Sequence, residues 1–168
     1  STNQAVNALK AGLVDFAVVT TPVNLTNDMK SENLCSFNDI LIAGPKYKQL
    51  CNKALHLEEL QEYPFISLVE GTGTHDHYTK FFYDNDLHFN LDMEASTTDQ
   101  VLAMVQSNLG LGFYPEQLAS EYIMRGEIFP VSLHESVPER DIILIRESRH
   151  AENIAAKKLI NFLKHTTN

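Results

Sequence analysis

Glu70-Gly-Thr-Gly-Thr-His-Asp-His77 is the stretch of this chain whose residue types are best suited to hold a ligand. Glycines let a backbone come close to a bound group, and a helix starting here would aim unpaired N–H groups and the positive end of its dipole at a negative one. Gly71, Thr72, Gly73, Thr74 and His75 are therefore candidate binding residues. The loop is not a nucleoside-triphosphate loop, because no Gly-Lys-Ser/Thr follows at the required spacing. Two further hydroxyl-rich segments offer the same chemistry. In Ala95-Ser-Thr-Thr-Asp-Gln100, Thr97 and Thr98 can cap a helix or donate a hydroxyl to a ligand. Thr20 and Thr21 follow an expected strand, and strand C-termini face the ligand crevice in α/β sheets. For each segment the competing reading is a capped turn that binds nothing.

Other chemistries fit less well. His75-Asp-His77 has two possible metal ligands, but their spacing suits a strand, where both would point to one face, and here they begin a helix. With no Cys/His cluster at zinc spacing, no metal is expected. A Gly-x-Ser-x-Gly elbow is missing and neither Cys35 nor Cys51 has a local histidine signature, so the chain does not read as an enzyme and no cofactor is expected. The two cysteines, without a C-x-x-C pair, read as ordinary buried thiols.

These loops must be positioned by α/β elements. The run Ser107-Asn-Leu-Gly-Leu-Gly-Phe-Tyr-Pro-Glu116 combines a helix end, a strand and a helix start. Val101, Leu102 and Val105 stand at helical spacing, Gly110 is suited to close that helix in the left-handed conformation, Leu111 to Tyr114 reads as a strand, and Pro115 pre-sets the next helix. Strands are expected near 15–19, 32–37, 39–44, 64–69, 91–95, 111–114, 128–132 and 141–147, and helices near 3–11, 57–62, 76–85, 98–108, 115–124 and 150–165. Such alternation predicts mostly parallel sheets flanked by helices. In the first helix Val6, Leu9 and Leu13 trace an apolar face that Gly12 ends. A helix feeding an apolar strand closes a βαβ crossover, so at least one strand is expected before residue 1.

In order and spacing these motifs resemble the effector-binding domain of LysR-type transcriptional regulators. Leu9-Lys-Ala-Gly-Leu-Val-Asp-Phe-Ala-Val-Val19 is similar to that family's helix-Gly-x-x-Asp-strand passage, and Asn38 to Pro45 to its crossover strand. Leu57-Glu-Glu-Leu60 with Tyr63-Pro-Phe-Ile66, the Gly110 to Pro115 strand, Arg125-Gly-Glu-Ile-Phe129, Pro138-Glu-Arg140 and Ile142 to Ile145 complete the likeness. The resemblance implies a two-lobed α/β fold of the periplasmic-binding-protein-like type 2 class. Lobe I would be 1–45 with 138–168, truncated at its N-terminus, and lobe II 46–137. It further implies a small-molecule effector held between the lobes, with the strand end Phe113, Tyr114 and Pro115 added to the hydroxyl loops. The helices at 3–11 and 76–85 would pair subunits of a parent homodimer or homotetramer through Val6, Leu9, Tyr78, Phe81 and Phe82, unless those side chains are spent on the core. Many members of the family carry an Arg after a Gly-Thr-Ser-Thr-like loop, where this chain has His75. Hydroxyls, backbone N–H groups and a titratable imidazole would then hold a small carboxylate or oxyanion. A solute-binding receptor of a transporter shares the architecture and is the alternative.

With 168 residues, 43% hydrophobic and 21% charged, the chain is long enough for one domain or two small lobes. A net charge of −9 and scattered basic residues argue against direct contact with nucleic acid, which needs a basic patch to displace counterions from phosphates. The parent's DNA-binding half would lie outside this segment. Neither a span of about eighteen apolar residues nor a secretory signal is visible, so no membrane contact and a cytoplasmic location are expected.

Overall fold

Ser1 caps the first helix: its hydroxyl accepts from the Gln4 N–H at 3.3 Å, while Gln4 Oε1 accepts from the terminal amine at 2.8 Å. This helix, α1 (Thr2–Lys10), ends where Gly12 adopts a φ of +67°, a left-handed conformation that glycine takes without strain. The computed structural model describes residues 1–148 and 153–166, and its chain divides into two units, Ser1–Phe37 with Arg140–Asn168, and Asn38–Glu139.

In the first unit, α1 is followed by β1 (Ala17–Thr20) and β2 (Met29–Phe37); β8 (Arg140–Glu147) returns between them, and α5 (Ile154–Thr166) closes the chain. Both ladders are antiparallel, with Ala17 opposite Ile145 and Phe37 opposite Arg140. Alternating side chains of β8 serve two faces. Ile143 and Ile145 join Val6, Leu9, Ala17, Val19 and Met29 under α1, whereas Leu144 joins Leu34 and Ile160 of α5. Leu13, expected on the buried stripe of α1, is 78% exposed because the helix has already ended. Glu32 pairs with Arg146 and Lys164. The expected start of the last helix near residue 150 lies outside the described residues.

The second unit carries β3 (Asp39–Ala43), β4 (Phe65–Leu68), α2 (Gly73–Asp84), β5 (Met93–Ala95), α3 (Thr98–Gln106), β6 (Leu111–Pro115), α4 (Glu116–Met124) and β7 (Phe129–Val131). Its sheet runs β5-β4-β6-β3-β7. β4 is parallel to β5 and β6, and β3 is antiparallel to β6 and β7. Leu41, Phe65, Leu111 and Phe113 face α2, whose Tyr78, Phe81 and Phe82 complete that core. Ile42, Ile66 and Tyr114 face the other way, onto Val101, Leu102 and Val105 of α3 and Ala119 of α4.

Several expectations change. The sheet of the first unit is antiparallel and that of the second is mixed, where mostly parallel sheets were expected: β3 and β8 run against their neighbours, and both follow a passage of the chain from one unit to the other. Local hydrophobic pattern carries no information about that direction. The first boundary falls after Phe37 instead of after Pro45, because β3 forms its ladders with β6 and β7 of the second unit. A helix expected at 57–62 is a 3-10 turn over Leu57–Leu60, and a second 3-10 segment spans Pro45–Asn52. Asn108, not Gly110, takes the left-handed conformation after α3, with a φ of +62°. Gly110 is required for another reason: a Cβ there would stand 2.5 Å from the Pro64 carbonyl oxygen. Val6, Leu9, Tyr78, Phe81 and Phe82, expected to supply a subunit interface, are all at most 5% exposed within their own units.

Candidate functional site

In the second unit, adjacent parallel strands deliver helix starts to one edge of the sheet. β4 runs into the Val69 to Thr72 loop and then α2, while β5 runs into Ser96 and Thr97 and then α3. The Val69 N–H donates to the Ala95 carbonyl at 3.2 Å, so the two loops lie side by side. α2 covers one face of the sheet, and α3 and α4 cover the other. Neighbouring strands whose following helices leave to opposite faces open a crevice at their C-terminal ends, where α/β proteins bind ligands.

Each helix start is built by a threonine. Thr72 is the N-cap of α2: its hydroxyl accepts from the His75 N–H at 3.2 Å and donates to the Val69 carbonyl at 2.9 Å. α2 therefore begins three residues earlier than expected, which places Gly73, Thr74 and His75 in its first turn. Gly71 enters this turn with a φ of +80°. Thr97 caps α3 by accepting from the Gln100 N–H at 3.3 Å, and Gln100 Oε1 reaches back to the Ser96 N–H at 2.8 Å. Thr98 occupies the first turn of α3. The contrast is chemical: Thr72 has committed both its proton and a lone pair, whereas Thr97 has committed a lone pair. The His75 ring lies 6.1 Å from that of Phe89 and its Nδ1 3.8 Å from Asp76. It lines a depression of about 410 Å³ with Glu70, Thr79 and Tyr83.

Thr20 and Thr21 belong to the first unit, at the end of β1. Thr21 extends the ladder with β8, its N–H donating to the Asp141 carbonyl and its Oγ1 accepting from the Asp141 N–H, both at 2.9 Å. Arg140 binds the same segment. Its Nε donates to the Thr21 carbonyl at 2.9 Å and its Nη2 to Thr20 Oγ1 at 3.1 Å, with the guanidinium 5.2 Å from the Phe37 ring. Sequence reasoning missed Arg140, since its partners stand 119 and 120 positions away.

Phe113 and Tyr114 turn their side chains into the core of the second unit. They are 5% and 3% exposed, Phe113 stacks on Tyr78 with ring centroids 4.5 Å apart, and Tyr114 faces α3 and α4. Burial pushes the Tyr114 hydroxyl's pKa up, with the Asp99 charge acting in the same direction. Pro115 is half-buried and stands before α4. Two polar groups that the sequence did not single out lie on the α2 face of the sheet. Asp39 is 3% exposed and accepts from the Tyr78 hydroxyl at 2.8 Å. Ser67 is 3% exposed and its hydroxyl has no partner among the described residues. A wider groove of about 810 Å³ runs past Asp39, Glu116, Pro130, Ser132 and Glu135, and none of the candidate threonines lines it. Among the described residues no three His, Cys, Asp or Glu side chains converge as a metal site, and no helix is long and apolar enough to cross a membrane.

Two α/β units traversed in the order first, second, first, with capped helix starts at the C-terminal edge of a sheet, define a ligand-binding domain of the periplasmic-binding-protein-like type 2 class. The chain belongs to the LysR substrate binding domain family, whose model it matches over residues 1–168. That family serves transcriptional regulation and is not a class of enzymes. The HTH-type transcriptional activator CmpR of Synechocystis is 31% identical over 72 residues, 43% of this chain and 24% of CmpR. The HTH-type transcriptional regulator YwbI of Bacillus subtilis is 27% identical over 107 residues, 64% of this chain and 35% of YwbI. The matched stretches thus span about a quarter and a third of those relatives. Among solved structures, the Synechocystis CcmR regulatory domain in complex with 2-phosphoglycolate has a TM-score of 0.87 at 13% identity, covering 100% of this chain and 80% of that one. The effector-binding domain of QuiR in complex with shikimate has a TM-score of 0.86 at 15% identity, covering 99% of this chain and 78% of that one. At these identities the likeness establishes the fold.

Proposed function

We propose that this chain senses a small anion, a carboxylate or an oxyanion, and that the regulator containing it reads the bound state as a change in domain or oligomer geometry. The observation that carries this reading is the pairing of two threonine-capped helix starts on adjacent parallel strands, β4 and β5. Each helix start favours a negative group by about 0.3–1 kcal/mol, and each hydrogen bond to a charged ligand adds about 1.5–3 kcal/mol. Gly71 to His75, Thr97 and Thr98 are the candidate contacts of the second unit, and Thr20 and Thr21 those of the first. Each unit by itself carries donors for an anion. The ligands named for CcmR and QuiR, 2-phosphoglycolate and shikimate, are both anions at neutral pH and support the class. The names of CmpR and YwbI favour a cytoplasmic DNA-binding regulator over a transporter's receptor. Binding that differs between two conformations is what would couple effector to output, by as much free energy as that difference supplies. The direct test is calorimetric titration of the chain with small acids, amines and neutral sugars. Saturable binding of one or more acids, with none of the amines, is expected. Tight binding confined to neutral or cationic compounds would overturn the proposal.

A further inference from the structure

Of the two threonine systems, the one in the first unit is chemically polarised. Thr20 Oγ1 accepts from the Arg140 guanidinium at 3.1 Å, and Thr21 Oγ1 accepts from the Asp141 N–H at 2.9 Å. A hydroxyl oxygen that accepts from a cation or an amide gives up electron density, which strengthens its own O–H as a donor and weakens its second lone pair as an acceptor. Among the described residues neither hydroxyl donates its proton, which remains for another partner. Neighbouring threonines are thereby biased the same way. Arg140 is suited to hold this arrangement: it is 5% exposed, its planar fork spans Thr20 Oγ1 and the Thr21 carbonyl, and the Phe37 ring lies within cation–π distance of it.

Resting on the anion-sensing reading above, the geometry points to Arg140 as the positioning residue that holds Thr20 and Thr21 as donors, so that this segment selects ligands by their oxygen acceptors and discriminates a carboxylate from its own amide. Its contribution is selectivity as well as affinity. An amide brings one acceptor and a donor, and the donor finds only weakened lone pairs here. A carboxylate meets either hydroxyl with acceptors alone.

The test uses the 168-residue chain and fixed probes: 2-phosphoglycolate, shikimate and inorganic phosphate, with the carboxamide of shikimate as the neutral isostere and ethanolamine as the cation. Thr20→Val and Thr21→Val keep shape and remove a hydroxyl; Thr20→Ser restores it; Arg140→Lys keeps the charge and loses the fork. For any acid that wild type binds, each valine variant is expected to weaken binding roughly ten- to hundredfold, and Thr20→Ser to recover it to within about threefold. Arg140→Lys is expected to lower the ratio of acid to amide affinity, a readout that a merely structural role would not move because both ligands would then suffer equally. Acid binding unchanged within about twofold in both valine variants, or an unchanged acid-to-amide ratio in Arg140→Lys, overturns the inference and leaves the anion-sensing proposal standing. Failure of wild type to bind any acid, of these three or of the calorimetric panel, overturns both.

Discussion

Thr72→Ala should act on stability before it acts on any ligand. The Thr72 hydroxyl is fully engaged, accepting from the His75 N–H and donating to the Val69 carbonyl. Truncation removes the N-cap of α2 and leaves a first-turn N–H without its acceptor. Loss of a threonine cap costs about 0.5–2 kcal/mol. For a chain of this size each kcal/mol moves the unfolding midpoint by roughly 2–4 °C, which gives an expected fall of roughly 1–8 °C in calorimetry without ligand. Thr72→Ser should restore most of it. Thr72→Asp separates the two roles: a carboxylate is a good cap and favours the helix dipole, so stability recovers, while its charge opposes an anionic ligand at the same turn. Denaturant unfolding of Thr72→Ala within about 0.3 kcal/mol of wild type, with no difference between the Ala and Ser variants, would refute the capping argument.

Further outcomes follow from the same geometry. Gly110→Ala places a Cβ 2.5 Å from a backbone carbonyl that already accepts from the Leu111 N–H at 2.8 Å, and should destabilise by about 1–3 kcal/mol in urea unfolding. Tyr78→Phe removes the donor to the buried Asp39 carboxylate and should cost about 1.5–3 kcal/mol by the same assay, while an unchanged midpoint would mean that the pair contributes nothing. Burial pushes the Glu135 carboxyl up, but hydrogen bonds from the His56 ring and the Leu57 N–H outweigh it and hold its pKa below 4.5. The unfolded chain then binds more protons there, so the stabilisation is present above about 4.5 and is lost as pH falls through the folded value. Glu135→Gln should therefore flatten the acid limb of a stability profile measured between about pH 3 and pH 6, and an unaltered slope would contradict the assignment.

Local pattern was enough for most elements, because their signals are local. Val101, Leu102 and Val105 at helical spacing, Pro115 at a helix start and the Thr-rich turn at Thr97 all report short-range geometry, and α3, α4 and the Thr97 cap followed from them, whereas the start of α2 after Thr72 did not. Strand direction did not. β8 joins β1 and β2 after more than a hundred intervening residues, and only the ladder itself shows that it runs antiparallel to both. Gly110 was legible as a helix-closing glycine, whereas its constraint is a through-space approach of Pro64 and not a backbone angle. The site divides in the same way. Thr20, Thr21, Thr72 and Thr97 were visible as hydroxyls in loops, whereas Arg140, which orders two of them, and Asp39, which meets Tyr78, act through tertiary contacts that no spacing encodes. That Phe113 and Tyr114 turn their side chains into the core was not legible either, because a strand end carries the same residue types whether its side chains face a ligand or the core.

We propose that this domain captures an anion on its hydroxyl-bearing turns. A ¹⁵N–¹H correlation titration of the chain with whichever acid binds in calorimetry tests it most directly. Saturable shifts concentrated on the amides of Thr20 and Thr21, of Gly71 to His75 and of Thr97 to Gln100 are the predicted result, with Thr72→Ala changing stability more than the shift pattern. Shifts that leave these turns untouched and gather instead along the groove at Pro130 to Val137 would contradict it.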